Sequence, residues 1–320
     1  MLNFFSRKEY QEISDAFQLG SVKRIVYFGK GLQTPKVMVR TPKGEFIISK
    51  HRHFSSRDIW SKSRRSFLYE VGLLNVLKKL PVPHYRKSAK GGYVLDFKRF
   101  DVTVYRFLPG KQPRFLTPAM VRQLGSFVGS FHAAGRNFRE TLKGRRRFYQ
   151  LTHTVVRRMH VYAQKQKNPR LKRIVTEVKK GVEQNRLPAS LPKGPIHVDI
   201  KPENELFVRE KLTGVIDFGN FYIGPYMLDV GKTVMWNCVR KGRLEKNLLQ
   251  SFLKGYESKR KLSVQERKYL KRSILFAIFS HIWVDLYHVP IKYVPESYTL
   301  FLVRAFLPVA RWLTKREPEI

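Results

Sequence analysis

Residues 197–231, HVDIKPENELFVREKLTGVIDFGNFYIGPYMLDVG, constrain the fold more than any other part of this 320-residue chain. They set Asp199, Asn204 and Asp217 within one short stretch. Pro195 to Val198 is short and apolar, IKPEN reads as a loop because Pro202 breaks any helix, and Glu205 to Val208 (ELFV) reads as a strand. A turn around Arg209 to Leu212 leads into Thr213 to Phe218 (TGVIDF), a second apolar strand. Such a hairpin brings Asn204 and Asp217 to the same end of a loop.

Those residue types at that spacing point to phosphoryl transfer, in which a protein mainly positions an acceptor hydroxyl and neutralises phosphate charge. Asp199 would orient the hydroxyl and accept its proton as the bond forms. Magnesium favours hard oxygen ligands, and Asn204 with Asp217 would supply two without filling its octahedral shell. The competing reading is an ordinary pair of turn residues. An H-x-D-x-x-x-x-N match alone is weak, and the apolar I-D-F that follows is what strengthens it.

The block resembles the catalytic segment of the aminoglycoside phosphotransferase and choline kinase superfamily. Its members read H-G-D-x-x-x-x-N-x-L, then I-D-F, then G-P-x-x-x-D-L-A, against HVDIKPENEL, VIDF and GPYMLDVG in this chain. The resemblance implies an α+β, bilobal protein-kinase-like fold. A small antiparallel β-sheet lobe with one main helix would span residues 1–108 and bind ATP. A larger, mostly helical lobe over 109–320 would hold the catalytic and acceptor-binding groups. By the same resemblance the cofactors are ATP and Mg2+, Asp199 is the base, Asn204 and Asp217 are the metal ligands, and Asp229 anchors the helix that follows. The chain departs from the pattern at Val198, where Gly is usual, and at Glu205, where an apolar residue is usual.

Upstream, Val22 to Phe28, Lys36 to Arg40 and Glu45 to Lys50 read as a three-strand meander, with a glycine-bearing loop after the first strand. Gly29 and Gly31 in that loop would let backbone approach nucleotide phosphates where a side chain would collide. Lys50 ends the third strand, where a kinase-like lobe places a phosphate-binding lysine; in a basic chain a solvent-facing strand lysine is the competing reading. The helix expected over Ser61 to Leu80 carries Glu70 on its apolar face, and a carboxylate there needs a partner, for which Lys50 is the candidate. Two paired strands, Gly92 to Phe97 and Asp101 to Phe107, lead to LPG. In the superfamily an equivalent segment joins the lobes and meets adenine, which would place Tyr105, Arg106, Phe107 and Leu108 at the base. Pro118 to Gly135 reads as an amphipathic helix, and its His132 is given a structural role.

Within the superfamily the chain is most similar to the homoserine kinase-like branch. LPGKQPRFLTPAMVRQLGSFVGSFHAAGRNF and LLQSFLKGYESKRKLSVQERKYLKRSILFAIFSHIWVDLY carry that likeness. GKGLQTPK lacks the branch's G-x-x-N loop, and FGNFYIG replaces its segment after I-D-F. The resemblance implies a small-molecule hydroxyl as acceptor, on an amino alcohol such as homoserine or on a sugar. Asn220, Tyr222, Trp236, His281, Asp285 and Tyr287 are candidates to meet it. His281 and Asp285 lie four apart and face one way on a helix, either toward a substrate or toward each other.

Charge is the other unusual property. Lys and Arg number 63 against 24 Asp and Glu, a formal net charge of +39. Much of it clusters between Lys143 and Lys180, where Glu177 is the only acid. Such a face can attract anionic lipid, including a membrane-bound glycolipid acceptor, or nucleic acid, or it can reflect compositional bias without a partner. A non-catalytic basic module on a kinase-like fold is the remaining class. No nucleic-acid motif accompanies the charge, and a polycationic acceptor fits it poorly. Cys238 is the only cysteine, so no internal disulfide and no thiolate zinc site is expected, and no disulfide-linked partner. The charged N-terminal stretch lacks a signal-peptide core. A cytoplasmic protein is expected, with peripheral contact to an anionic membrane left open.

Overall fold

Alternating apolar residues build the first unit around a five-stranded antiparallel sheet. A computed structural model of the chain describes residues 4–28, 35–51, 63–138, 140–145 and 147–316. They divide into two compact units, Met1–Gly110 and Lys111–Ile320. Helix α1 (Arg7–Ala16) opens on a capping box between Ser6 and Glu9. There follow β1 (Arg24–Tyr27), β2 (Lys36–Thr41), β3 (Gly44–His51), α2 (Arg64–Val76), β4 (Leu95–Phe97) and β5 (Phe100–Arg106), and the strand order is β1-β2-β3-β5-β4.

Successive strand residues point to opposite faces, so this sheet has two coats. Phe46 and Ile48 of β3 and Phe100, Val102 and Val104 of β5 pack with Ile13 and Phe17 of α1. The other face carries Tyr105, whose ring meets Tyr85 at 5.3 Å, and Tyr85 meets Phe67 of α2 at 4.9 Å. Helix α2 stops at Val76, short of the expected Leu80, because Pro81 and Pro83 follow closely.

The second unit is mostly helical. Its elements are α3 (Pro118–Gly135), α4 (His153–Ala163), α5 (Pro169–Gln184), β6 (Lys193–Ile196), β7 (Glu205–Val208), β8 (Lys211–Val215), β9 (Tyr222–Pro225) and α6 (Tyr226–Asn237). Then come β10 (Val239–Arg240), β11 (Arg243–Leu244), α7 (Lys246–Glu257), α8 (Val264–Lys268), α9 (Leu270–His288) and α10 (Glu296–Thr314). Helix α3 starts at Pro118 because Thr117 caps it by accepting from the Met120 N–H.

Two glycine-mediated crossings hold the helices where the site needs them. A Cβ on Gly125 of α3 would lie 2.0 Å from the Phe252 carbonyl oxygen of α7, so only glycine allows that approach. At Gly231 of α6 a Cβ would lie 2.3 Å from the Ser273 carbonyl of α9. The first crossing presses Tyr256 onto His132, and the second sets α6 against α9. Helix α6 is buried on every side. In α5 the apolar Leu171, Val175 and Val178 face inward, while Arg170, Lys172, Arg173 and Lys180 stay in solvent.

Candidate active site

The loop that carries Asp199 begins where β6 ends, and a carboxylate on α6 shapes it. Asp229 accepts the His197 N–H at Oδ2, 2.8 Å, and the Val198 N–H at Oδ1, 2.7 Å. Its Oδ2 also meets His132 Nε2 at 3.2 Å. Burial alone would push the Asp229 carboxyl up, but the hydrogen bonds from the His132 ring and the His197 N–H outweigh it and hold the group below its ordinary value. Burial lowers His132, keeping it neutral. With Nε2–H turned to Asp229, His132 Nδ1 accepts the Tyr256 hydroxyl at 3.0 Å. That hydroxyl in turn accepts from Arg260 at 2.8 Å, and Arg260 pairs with Glu266 at 2.8 Å.

This support explains how Val198 is tolerated. Its φ is +62°, a left-handed conformation that a β-branched side chain adopts only under strain. Such a residue stores about 1–3 kcal/mol, and the Asp229 bond to its N–H holds it there. The turn carries the next residue, Asp199, to a position only 17% exposed.

Asp199, Asn204 and Asp217 are brought to one place. The Asn204 amide nitrogen donates to the Asp199 carbonyl at 2.9 Å and to its carboxylate at 3.3 Å. Ile216 N–H donates to the Asn204 carbonyl at 2.9 Å, which ties the two arms together one residue before Asp217. His197 adds a second tie: its Nε2 donates to the Ile216 carbonyl at 3.1 Å and its Nδ1 accepts the Asp199 N–H at 3.3 Å. The strand expected to run through Phe218 ends at Val215, because Asp217 itself takes a left-handed conformation, φ 68° and ψ 58°. Its carboxylate is thereby exposed. Burial raises the Asp199 carboxyl, Lys201 at 3.3 Å opposes that rise, and the charge of Asp217 adds to it.

Whether this donor set suits magnesium can be judged from its chemistry. The Asn204 nitrogen is committed to Asp199, which leaves the amide oxygen for a cation, and Asp217 offers an exposed carboxylate. Among the described residues no group of three or more His, Cys, Asp or Glu side chains forms a metal cage. One amide, one carboxylate and phosphate oxygens are the pattern by which magnesium is held beside a nucleotide. The set fits.

Glu205, the departure from an apolar position, is fully buried. Burial pushes its acid up to about 8, so near neutral pH it is protonated, and it accepts from Asn237 at 2.8 Å. An uncharged acid thus fills an apolar place.

His281 and Asp285, the pair expected to face an acceptor or each other, do not satisfy each other. His281 Nδ1 contacts Lys232 Nζ and lies 3.4 Å from the Tyr149 hydroxyl. Asp285 Oδ2 is buried without a hydrogen-bond partner, and burial pushes its carboxyl up to about 7. Trp236 stands against His281, ring centroids 5.5 Å apart, and Tyr222 is buried nearby in the sequence of β9. Asn220 closes the turn after Asp217. Tyr287 instead packs on Tyr162 of α4. A shallow groove of about 360 Å³ between α5 and α10, lined by Arg170, Arg173 and Arg311 among others, includes none of Asp199, Asn204 and Asp217.

In the first unit the structure does not bring Lys50 to Glu70. Lys50 shares the sheet face of Ile48 and Val102, where its Nζ donates to the Phe4 carbonyl at 2.9 Å and sits 4.1 Å from the Phe100 ring centroid. The residue facing α2 is Ser49 or His51; the His51 ring lies 6.1 Å from Phe67. Glu70 is buried on α2 and has other partners. The physical reason is strand parity: a shift of one residue exchanges faces. Tyr105 is buried, Arg106 is exposed and Leu108 is half-buried, and the Phe107 N–H donates to the Glu45 carbonyl at 2.9 Å. Gly29 and Gly31 lie outside the described residues.

Lys232, Tyr149 and Arg145 escaped the sequence reading. Arg145 donates to the Phe221 and Gly219 carbonyls at 2.9 and 2.8 Å, pinning the turn after Asp217. One arginine of a basic run looks like its neighbours. Lys232 did leave a signal, as the only cation in the run YMLDVGKTVMWN.

A small sheet unit, a larger helical unit and an Asp–Asn–Asp loop define the class: a phosphotransferase of protein-kinase-like fold. Residues 24–262 match the phosphotransferase enzyme family, and the chain belongs to that family. The homoserine kinase of Xanthobacter autotrophicus is 26% identical over 270 residues, covering 82% of this chain and 80% of that protein. That of Azorhizobium caulinodans is 28% identical over 261 residues, covering 78% and 76%. Among solved structures, an amicoumacin kinase in complex with AMP-PNP, Ca2+ and its ligand superposes with a TM-score of 0.68 at 14% identity, covering 98% of this chain and 95% of that one. A microcompartment-associated aminopropanol kinase gives 0.67 at 16% identity, with 96% and 97% covered. At those identities the solved structures speak for the fold. No helix among the described residues is long and apolar enough to cross a membrane.

Proposed function

We propose that this protein transfers the γ-phosphate of ATP to a hydroxyl of a small amino-alcohol-type acceptor, of which homoserine is the first to try. The observation that carries this reading is Asp199 held beside Asn204 and Asp217 by the hydrogen bonds of Asp229, His197 and Asn204. Asp199 orients the acceptor hydroxyl and takes its proton as the oxygen attacks phosphorus. Magnesium, when bound, neutralises charge on the phosphates, and Asn204 with Asp217 would hold it. Asp229 keeps the loop in its strained conformation, so the base needs no rearrangement before reaction. Residues 105–108 are assigned to the nucleotide base, with Leu108 as the first residue after the N–H of Phe107 is taken up. The homoserine kinase relatives support the choice of acceptor.

The test follows label from γ-labelled ATP into a panel of hydroxyl compounds that includes L-homoserine, aminopropanol and simple sugars. Magnesium-dependent labelling of one of them, abolished by chelation, is expected. A panel that yields no phosphorylated product in the presence of magnesium would reject the reading.

A further inference from the structure

Helix α6 is buried on every side, yet it carries Lys232, which is 0% exposed. An ammonium removed from water needs a counter-charge or full hydrogen bonding. Among the described residues no carboxylate stands within ion-pair distance of Lys232. Its contacts are neutral: His281 Nδ1 and the face of Tyr149, whose centroid lies 3.8 Å from Nζ. Burial pulls the Lys232 amine down to about 7, and burial together with the Lys232 charge holds His281 well below its ordinary value. Asp285 is no full counter-ion, because burial keeps its carboxyl near 7.

A second donor stands one turn along the same face. Trp236 Nε1 is buried without an acceptor, in a side chain only 8% exposed. Lys201 Nζ lies 5.6 Å from the Trp236 ring and 3.3 Å from Asp199, which connects this group to the catalytic base. Lys201 is thus paired with Asp199, whereas the two buried donors beside it, Lys232 and the Trp236 N–H, have no anion in hydrogen-bond contact. Tyr149 covers Lys232 from a segment with neither helix nor strand and keeps part of its surface in solvent. It is the contact an incoming group would replace.

We propose that Lys232 and Trp236 receive an anionic group of the acceptor, a carboxylate or a phosphate, and so select acceptors that carry a negative charge near the reacting hydroxyl. This rests on the reading of Asp199 as the base. Lys232 then acts as a specificity-determining residue. A charge-assisted hydrogen bond formed out of water predicts a preference of roughly 10- to 100-fold for the charged acceptor over its neutral analogue.

Calorimetric titration without nucleotide tests this on two matched pairs: L-homoserine against L-homoserinol for a carboxylate, and glycerol 3-phosphate against glycerol for a phosphate. The wild type should prefer the charged member of at least one pair. Lys232→Met should erase that preference while melting at or above the wild-type temperature, and Lys232→Arg should retain part of it. Trp236→Phe, which deletes the second donor alone, should reduce it, and it serves if Lys232→Met does not fold. Equal wild-type binding within both pairs, no binding of any charged acceptor, or a preference that survives Lys232→Met and Trp236→Phe would overturn the proposal. Because no ATP is present, a Lys232-dependent preference without phosphate transfer would keep this inference and reject the kinase reading. Transfer to neutral acceptors, indifferent to Lys232→Met, would do the reverse.

Discussion

Asp229 and Lys232 lie three residues apart on the same buried helix, and their surroundings treat them in opposite ways. Asp229 receives two backbone N–H groups and a histidine, and that histidine is backed by Tyr256, Arg260 and Glu266. Lys232 meets an imidazole nitrogen and a ring face. A buried charge whose two oxygens both accept hydrogen bonds fixes geometry, and here it fixes a strained loop. A buried charge met only by neutral groups lowers stability, and its value lies in what it can still bind. Within one turn of α6, Asp229 holds the loop that carries Asp199, and Lys232 is left with neutral contacts alone.

Breaking the satisfied end should have the largest effect on stability. Asp229→Ala leaves two loop N–H groups and His132 without their acceptor, and the loss of a buried pair of this kind is about 3–5 kcal/mol. Urea denaturation should show that loss together with a collapse of turnover. An unchanged midpoint would mean that the loop holds its own shape.

The unsatisfied end should respond with the opposite sign. Lys232→Met is expected to stabilise by about 1–4 kcal/mol, and the gain should depend on pH. The folded amine titrates near 7 and an ordinary lysine near 10.5, so between these values the unfolded chain holds a proton that the folded chain has released. Wild-type stability therefore rises with pH across that window. The advantage of Lys232→Met is full below pH 7 and fades toward 10.5. Melting curves of both proteins at pH 6.5 and 9.5 would show this, and a constant difference would mean that Lys232 is charged and compensated in the fold.

The smallest effect sharpens the comparison within the supporting network. Tyr256→Phe keeps the ring and removes the hydroxyl between Arg260 and His132. A loss of about 1–2 kcal/mol is expected, and none would place the burden on Asp229 and His132 alone.

Particular residues show what the sequence made legible. Helix α3 could be bounded at Pro118 and Gly135 because a Thr–Pro cap opens it and its apolar spacing is regular. Asp199, Asn204, Asp217 and the anchoring Asp229 sit close together in the chain, and their local spacing carries most of their geometry. Lys50 was different. Alternation tells that neighbours on β3 face opposite ways, but α1 and α2 coat opposite faces, and nothing in FIISK says which coat each face receives. Lys232 and Arg145 were hidden for another reason: in a chain of 63 cations, only the surrounding helices decide which one is buried.

The most direct measurement is the single-turnover rate of phosphate transfer in Asp199→Asn, with nucleotide affinity measured in parallel. Replacing the base by an amide that keeps its size should lower the rate by about 10²- to 10⁴-fold and leave nucleotide binding unchanged. Transfer at the wild-type rate would contradict the assignment of Asp199 as the base on which this account rests.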